Sequence, residues 1–304
     1  MGSRKPRTAR GFTIVELLVV IVVIAILAAI TIVSYTGISG KANVASLQSD
    51  LDNSSKQLNL FQVENGAYPS TINCAIPNST TNPTNLCIKS SGSNTYSYKA
   101  YSPNSFMQVS KNGNTCYSIT NNSAPIENCV TIGTQTWMKY NLDVGDRIDG
   151  ITNQTSNSIV EKYCYNNDPA NCTTYGGLYQ WNEMMQYGAT DICPTGFRIP
   201  TDAEYKTLEM YLGMSQAQAD ATGWRGTDQG TQLKPSGTSG LNLPLAGNRT
   251  TDGSFGNLSS DAYLWSSSES STSAWKRFLP SYYATVNRST TDKGVGFSVR
   301  CLGN

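Results

Sequence analysis

The 304-residue chain contains no histidine. Ser–His–Asp and Cys–His catalytic pairs are thereby excluded, as is any imidazole-ligated metal. Charge is also scarce. Asp, Glu, Lys and Arg make up 14% of the chain, against about 25% in an average globular protein. Net charge is +1, which gives no basic footprint for nucleic acid. Cysteines never fall as C-x-x-C, so a zinc site has little to build on. Ser, Thr and Asn fill the space left by the missing charges, and such a surface suits a secreted, strand-rich protein better than a cytosolic enzyme. No cofactor and no catalytic activity are expected. Length allows two modest domains plus an extension.

What charge there is sits unevenly. Arg4, Lys5, Arg7 and Arg10 crowd the first ten residues; without these four, 18 basic residues face 21 acidic ones, a balance of −3. A basic cluster ahead of an apolar run keeps the N-terminus cytoplasmic. All eight cysteines (Cys74, Cys87, Cys116, Cys129, Cys164, Cys172, Cys193 and Cys301) follow that run. A chain crossing with its N-terminus inside delivers every one to an oxidising compartment.

The run itself reads "RGFTIVELLVVIVVIAILAAITIV", Arg10 to Val33, with one acid, Glu16, near its start. Phe12 to Val33 makes a helix of roughly 33 Å at about 1.5 Å per residue, enough for a bilayer core of about 30 Å. A signal peptide would be cut after the run, but Ala25, Ala28 and Ala29 form no A-x-A site. A plain signal anchor leaves Glu16 unexplained. A third fate is a cut before the run, between Gly11 and Phe12. This stretch resembles the N-terminus of type IV pilins and pseudopilins. The resemblance implies cleavage after Gly11 by a prepilin peptidase and methylation of Phe12. It also implies that Glu16 registers an incoming subunit against the Phe12 amine of another. A carboxylate in the first helical turn is favoured by the helix dipole, and near the interface it costs less than at mid-bilayer.

Beyond the membrane, "ASLQSDLDNSSKQLNLFQVENGAYP" places Ala45, Leu47, Leu51, Leu58, Phe61 and Val63 on one helical stripe. Gly37 and Gly40 interrupt the helix between its halves, and Asn65-Gly66 with Pro69 ends it. The "ENGxYP" ending also resembles pilins. "TYSYKAYS", "SFMQVS" and "NTCYSIT" alternate at period two and predict a three-stranded antiparallel sheet packed on the helix. Eight cysteines admit 105 pairings; joining neighbours gives Cys74–Cys87 and Cys116–Cys129.

From Val130, "YCYNNDPANCTTYGGLYQWNEMM", "CPTGFRIPTDAEYKTLEMYL", "GWRGTDQGTQLK", "LPLAGNRTTDGSF", "LWSSSES" and "GVGFSVRCL" follow in order. The succession resembles the Fibrobacter succinogenes major paralogous domain, related in fold to C-type lectins and sulfatase-modifying factors. It implies a mixed α+β domain, with Cys164–Cys172 clipping a loop and Cys193–Cys301 bridging to a closing strand at Phe297–Leu302. Thr201 and Glu204 form a capping-box pattern ahead of a helix with apolar Leu208, Tyr211 and Leu212. The five tryptophans read as core or loop anchors. Lectin calcium motifs are absent, and Asp252, Asp261 and Asp292 are lone acids, so no metal is expected. Trp265, Trp275, Arg277, Tyr282, Tyr283, Asn287 and Arg288 form a candidate ligand face for a surface glycan or protein; ordinary packing explains the same residues.

The expected fold is α+β: leader 1–11, pilin helix 12–65 (membrane or filament core 12–33), β head 66–129 and lectin-like domain 130–304. The expected function is structural and adhesive, in a type IV pilus-like filament. The precursor sits in the inner membrane before extracellular assembly, and its partners are other pilin subunits, the peptidase and the pilus assembly machinery. The rivals are a pseudopilin of a type II secretion system and an enzyme displayed on a pilus.

Overall fold

The computed structural model describes residues 13–88, 93–121, 123–188 and 191–304. The chain divides into two compact units, Met1–Ser46 and Leu47–Asn304. The described part of the first unit is helical. Helix α1, Ile14–Asn65, is continuous across Gly37 and Gly40. Its Ile14–Ile32 segment has a mean hydropathy of 3.1 and is long and apolar enough to cross a membrane. Within that segment Thr31 returns its hydroxyl to Leu27 O at 2.7 Å, so this polar side chain adds no unpaired donor. The helix stops at Gly66, whose φ of +77° is a left-handed turn.

In the second unit, Leu47, Leu51 and Leu58 of α1 are fully buried, with Ser54 and Ser55 between them. Each leucine contributes about 1.5–3 kcal/mol of burial. Ala45 and Val63, expected on this stripe, are exposed. They stand two residues before Leu47 and five after Leu58, which at 3.6 residues per turn carries them roughly 140–160° off the buried face. Phe61 is half-buried.

The stripe packs on an antiparallel sheet of β1 (Thr95–Ser102), β2 (Ser105–Asn112), β3 (Thr115–Thr120) and β4 (Ile126–Glu127). The expected three strands are joined by the short β4. Alternation along β2 explains why six consecutive residues are buried. Its even-numbered side chains meet α1: Gln108 Nε2 donates to Ser54 Oγ at 2.8 Å, and Ser110 Oγ to Leu47 O at 3.4 Å. Its odd-numbered ones, Met107 and Val109, enter a core shared with Leu142, Val144, Trp181 and Phe297.

The head therefore has no free second face. Residue 129, the expected domain boundary, lies inside one compact unit. The Cys116–Cys129 disulfide joins β3 to β5, Cys129–Ile132. Asn128, buried, donates to Ser118 Oγ at 2.8 Å and accepts from Lys139 N and Tyr140 N. Lys99 Nζ donates to Asp191 O and Cys193 O at 2.5 and 3.0 Å.

β5 pairs with β6, Gln135–Met138, which receives Leu302–Gly303 from the chain's end. A larger sheet sets side by side the strands Gly223–Arg225, Val286–Asp292, Ser273–Pro280 and Asp261–Ser270. The expected closing strand is split: Phe297–Ser298 joins the larger sheet and Leu302–Gly303 the smaller. Between them lies Arg300, fully buried and held by Asn141 Oδ1, Met138 O and Leu241 O. Thr201 and Glu204 form the expected capping box at the start of the helix Asp202–Tyr211. Tyr205 and Leu208 are buried, whereas Tyr211, expected on that face, is 65% exposed. Its ring lies against Gly133, where a Cβ would stand 2.7 Å away. The cysteines are joined as Cys74–Cys87, Cys116–Cys129, Cys164–Cys172 and Cys193–Cys301.

Candidate functional site

The residues singled out for function fall into two places. At the N-terminus, Gly11 and Phe12 lie outside the described residues. Glu16 is described, and its carboxylate accepts from Thr13 N and Thr13 Oγ1, both at 2.8 Å. Thr13 Oγ1 accepts in return from Glu16 N at 3.2 Å. This reciprocal pair is a capping box, which satisfies otherwise orphaned amides at the helix start. The T-x-x-E spacing announces it in the sequence, alongside the amine-pairing and helix-dipole roles expected of Glu16. The acid thus opens a helix whose next turns are aliphatic and fully exposed.

The second place is the larger sheet, and the expected ligand face divides across its two sides. Trp265 is fully buried, with Nε1 donating to Tyr179 O at 2.9 Å. Arg277 is buried against the helix Asp202–Tyr211, donating to Glu209 Oε1 and Asp202 Oδ1, each at 2.7 Å. Arg288 is likewise buried, clasping Asp202 from Nε and Nη2. Its guanidinium lies 3.9 Å from the ring centre of Trp275, which is half-buried beneath it. Trp265, Arg277 and Arg288 are therefore packing residues, not ligand contacts. Glu209 also receives Arg225 Nη2 at 2.7 Å, so two carboxylates and three guanidinium groups form one buried network. Burial opposes the charge on Asp202, but hydrogen bonds from Arg288 and the nearby Arg277 outweigh it and hold the carboxyl at about 2.

The opposite side of the sheet is covered where Trp265, paired with Lys276, and Phe297 are buried, and it opens toward the Gly223–Arg225 edge. Trp224, Asn287, Phe278 and Tyr263 occupy one row of the register across four strands. Residues paired across strands project to the same side. Trp224 is 44% exposed, and Asn287, Phe278 and Tyr263 are half-buried. The Tyr263 and Phe278 rings stack at 4.6 Å, and Trp224 leans on Phe278 at 5.4 Å and on Tyr283 at 4.5 Å. Tyr282, 75% exposed, stands 4.8 Å from Tyr283. Of the expected face, Tyr282, Tyr283 and Asn287 remain here. Trp224, Tyr263, Phe278 and Lys276 belong with them. Alternation within Ser273–Pro280 separates Lys276 and Phe278 from Arg277, but the cross-strand register that brings in Trp224 is not written in any one segment.

The turn carrying the two tyrosines is held from below. Lys234 Nζ donates to Pro280 O, Ser281 O and Tyr283 O at 2.8, 3.0 and 2.7 Å. Gly230 lies so close that a Cβ there would meet Thr285 O at 2.3 Å. Among the described residues no cluster of metal-ligating side chains forms, and all eight cysteines are paired. The open side offers stacking, hydrogen bonding and one ammonium.

Residues 6–32 match the prokaryotic N-terminal methylation motif, the mark of a type IV pilin- or pseudopilin-like subunit processed by a prepilin peptidase and assembled with other pilins. No curated protein and no solved structure matches the chain. Residues 130–302, over half the chain, match the Fibrobacter succinogenes major domain. The open aromatic sheet and the buried charge network are thus features of a chain that belongs to the Fibrobacter succinogenes major domain family and carries a pilin-type methylation motif at its N-terminus.

Proposed function

We propose that the chain is the precursor of a structural subunit of an extracellular type IV pilus-like filament, with its C-terminal domain displayed as a non-catalytic, lectin-like adhesion module. The precursor inserts in the inner membrane, is cut between Gly11 and Phe12, and is methylated at Phe12. It then leaves the bilayer to pack its apolar helix against those of other subunits. The observation that carries this reading is the aliphatic Ile14–Ile32 helix, opened by the Thr13–Glu16 box and lying within the residues that match the methylation motif. Glu16 leaves room for a second partner, because a carboxylate has about four lone-pair sites. In the filament that partner is the terminal amine of a neighbour. The shared core between head and C-terminal domain supports display, since the domain is mounted without a slack linker.

The test is mass spectrometry of sheared surface filaments. The expected species begins at a methylated Phe12, and Glu16→Ala is expected to cut the polymer yield at least tenfold. An intact leader in assembled filaments, or an unchanged yield, overturns the proposal. Recovery of the chain only as a short periplasmic stub assigns it to a secretion pseudopilus instead.

A further inference from the structure

The open side of the larger sheet carries three features that packing alone does not require. First, three exposed aromatic side chains, Trp224, Tyr282 and Tyr283, touch one another in a row. Exposed aromatic surface in contact with water is unfavourable, and here it is gathered instead of scattered. Second, it is braced by contacts within the chain. The stacked pair Phe278–Tyr263 buttresses Trp224 from the side, and Lys234 ties the tyrosine turn through three carbonyls. A surface ordered in advance loses less freedom on binding.

Third, an unpaired cation borders it. Lys276 Nζ lies 5.2, 5.1 and 5.7 Å from the ring centres of Tyr263, Phe278 and Phe297. Among the described residues it makes no hydrogen bond and no ion pair. Burial pulls the ammonium down to about 8, and the field of Asp261 restores part of the loss. The carboxylates of Asp202 and Glu209 are on the other side of the sheet and already taken by arginines. A half-buried ammonium with aromatic neighbours and no direct ion pair, the Asp261 carboxylate on its side being bonded to Tyr263 Oη at 3.0 Å, is complementary to a carboxylate brought by a ligand.

The ligand's chemistry follows from the rest of the surface. Along the register the rings have amide and hydroxyl groups beside them, Asn287 and Ser289. Such a face matches a molecule with apolar C–H faces and hydroxylated edges. From Trp224 to Tyr263 the row crosses three strand spacings, about 14 Å, which is longer than one sugar ring. We propose that Trp224, Tyr282 and Tyr283, buttressed by Phe278 and Tyr263, stack the sugar rings of an acidic polysaccharide while Lys276 pairs with a uronate carboxylate. The proposal deepens the adhesive part of the proposed function and rests on it only for its biological use.

The test is calorimetric titration of the full-length protein in detergent with a galacturonate hexamer, a mannuronate hexamer, and the methyl ester of each. At least one acidic hexamer is expected to bind at least tenfold more tightly than its ester. Lys276→Gln is expected to remove that preference while leaving ester binding within twofold. Tyr282→Ala, at a 75% exposed position, is expected to weaken acid and ester alike by about fivefold with an unchanged Tm. Lys234→Met is expected to weaken both through the turn it holds. Equal affinity for acid and ester, no binding of any hexamer, or a preference that survives Lys276→Gln overturns the proposal. None of these results touches the N-terminus or polymer yield, so failure here leaves the filament reading to its own test.

Discussion

Asp202 accepts from Arg277 Nη1 and from Nε and Nη2 of Arg288, so a helix N-terminus and two strands meet on one carboxylate. Its carboxyl is held at about 2, below the ordinary 3.8. The sign follows directly. A carboxyl with a lower pKa in the folded state adds stability that is complete above about 3.8 and lost as pH falls toward about 2. The size is about 2 kcal/mol. Thermal unfolding should show Tm falling between pH 4 and pH 2, and Asp202→Asn should flatten that fall. At pH 7 the same substitution should destabilise the fold by roughly 3–5 kcal/mol, because the buried Arg288 loses its anion and Arg277 keeps only Glu209. Asn at 202 with a wild-type Tm at pH 7 would refute this account of the network.

Strand β2 shows, at the level of an element, what a sequence conceals. Its period-two pattern was legible, and so were the capping box at Thr201–Glu204 and the end of α1 at Gly66, since each depends on neighbours within a few residues. That both faces of β2 are covered depends on Met107 and Val109 meeting Leu142 and Trp181, far along the chain. The same limit governed the ligand face. Spacing alone cannot tell which of Arg277 and Lys276 is bound within the fold, although one is held by carboxylates of a helix and the other lies among aromatic rings on the opposite side. The burial of Trp265, Arg277 and Arg288 has one physical cause: arginine and tryptophan serve buried networks as readily as exposed sites, and only register decides. Phe106→Ala and Met107→Ala probe the two faces of β2. Each should cost roughly 2–5 kcal/mol, the first by opening a cavity toward Tyr68 and Tyr98, the second toward the shared core. A change below 0.5 kcal/mol at Met107 would mean that the second face is not tightly packed.

Over the whole of Leu47–Asn304, one compact unit predicts one cooperative transition. The probes separate conveniently. All five tryptophans lie between Trp137 and Trp275, so fluorescence reports the C-terminal domain. Amide exchange along β2 reports the head. The two should give the same unfolding free energy within about 1 kcal/mol, and a head that opens earlier would divide the unit in two. Paired cysteines at 116 and 129 fasten β3 to β5, and those at 193 and 301 fasten the chain's last residues to its middle. A cell clinging by such a domain would load these covalent staples directly. Tension from the tyrosine turn would then reach the head through sulfur and sheet, with little stretch before the grip itself lets go.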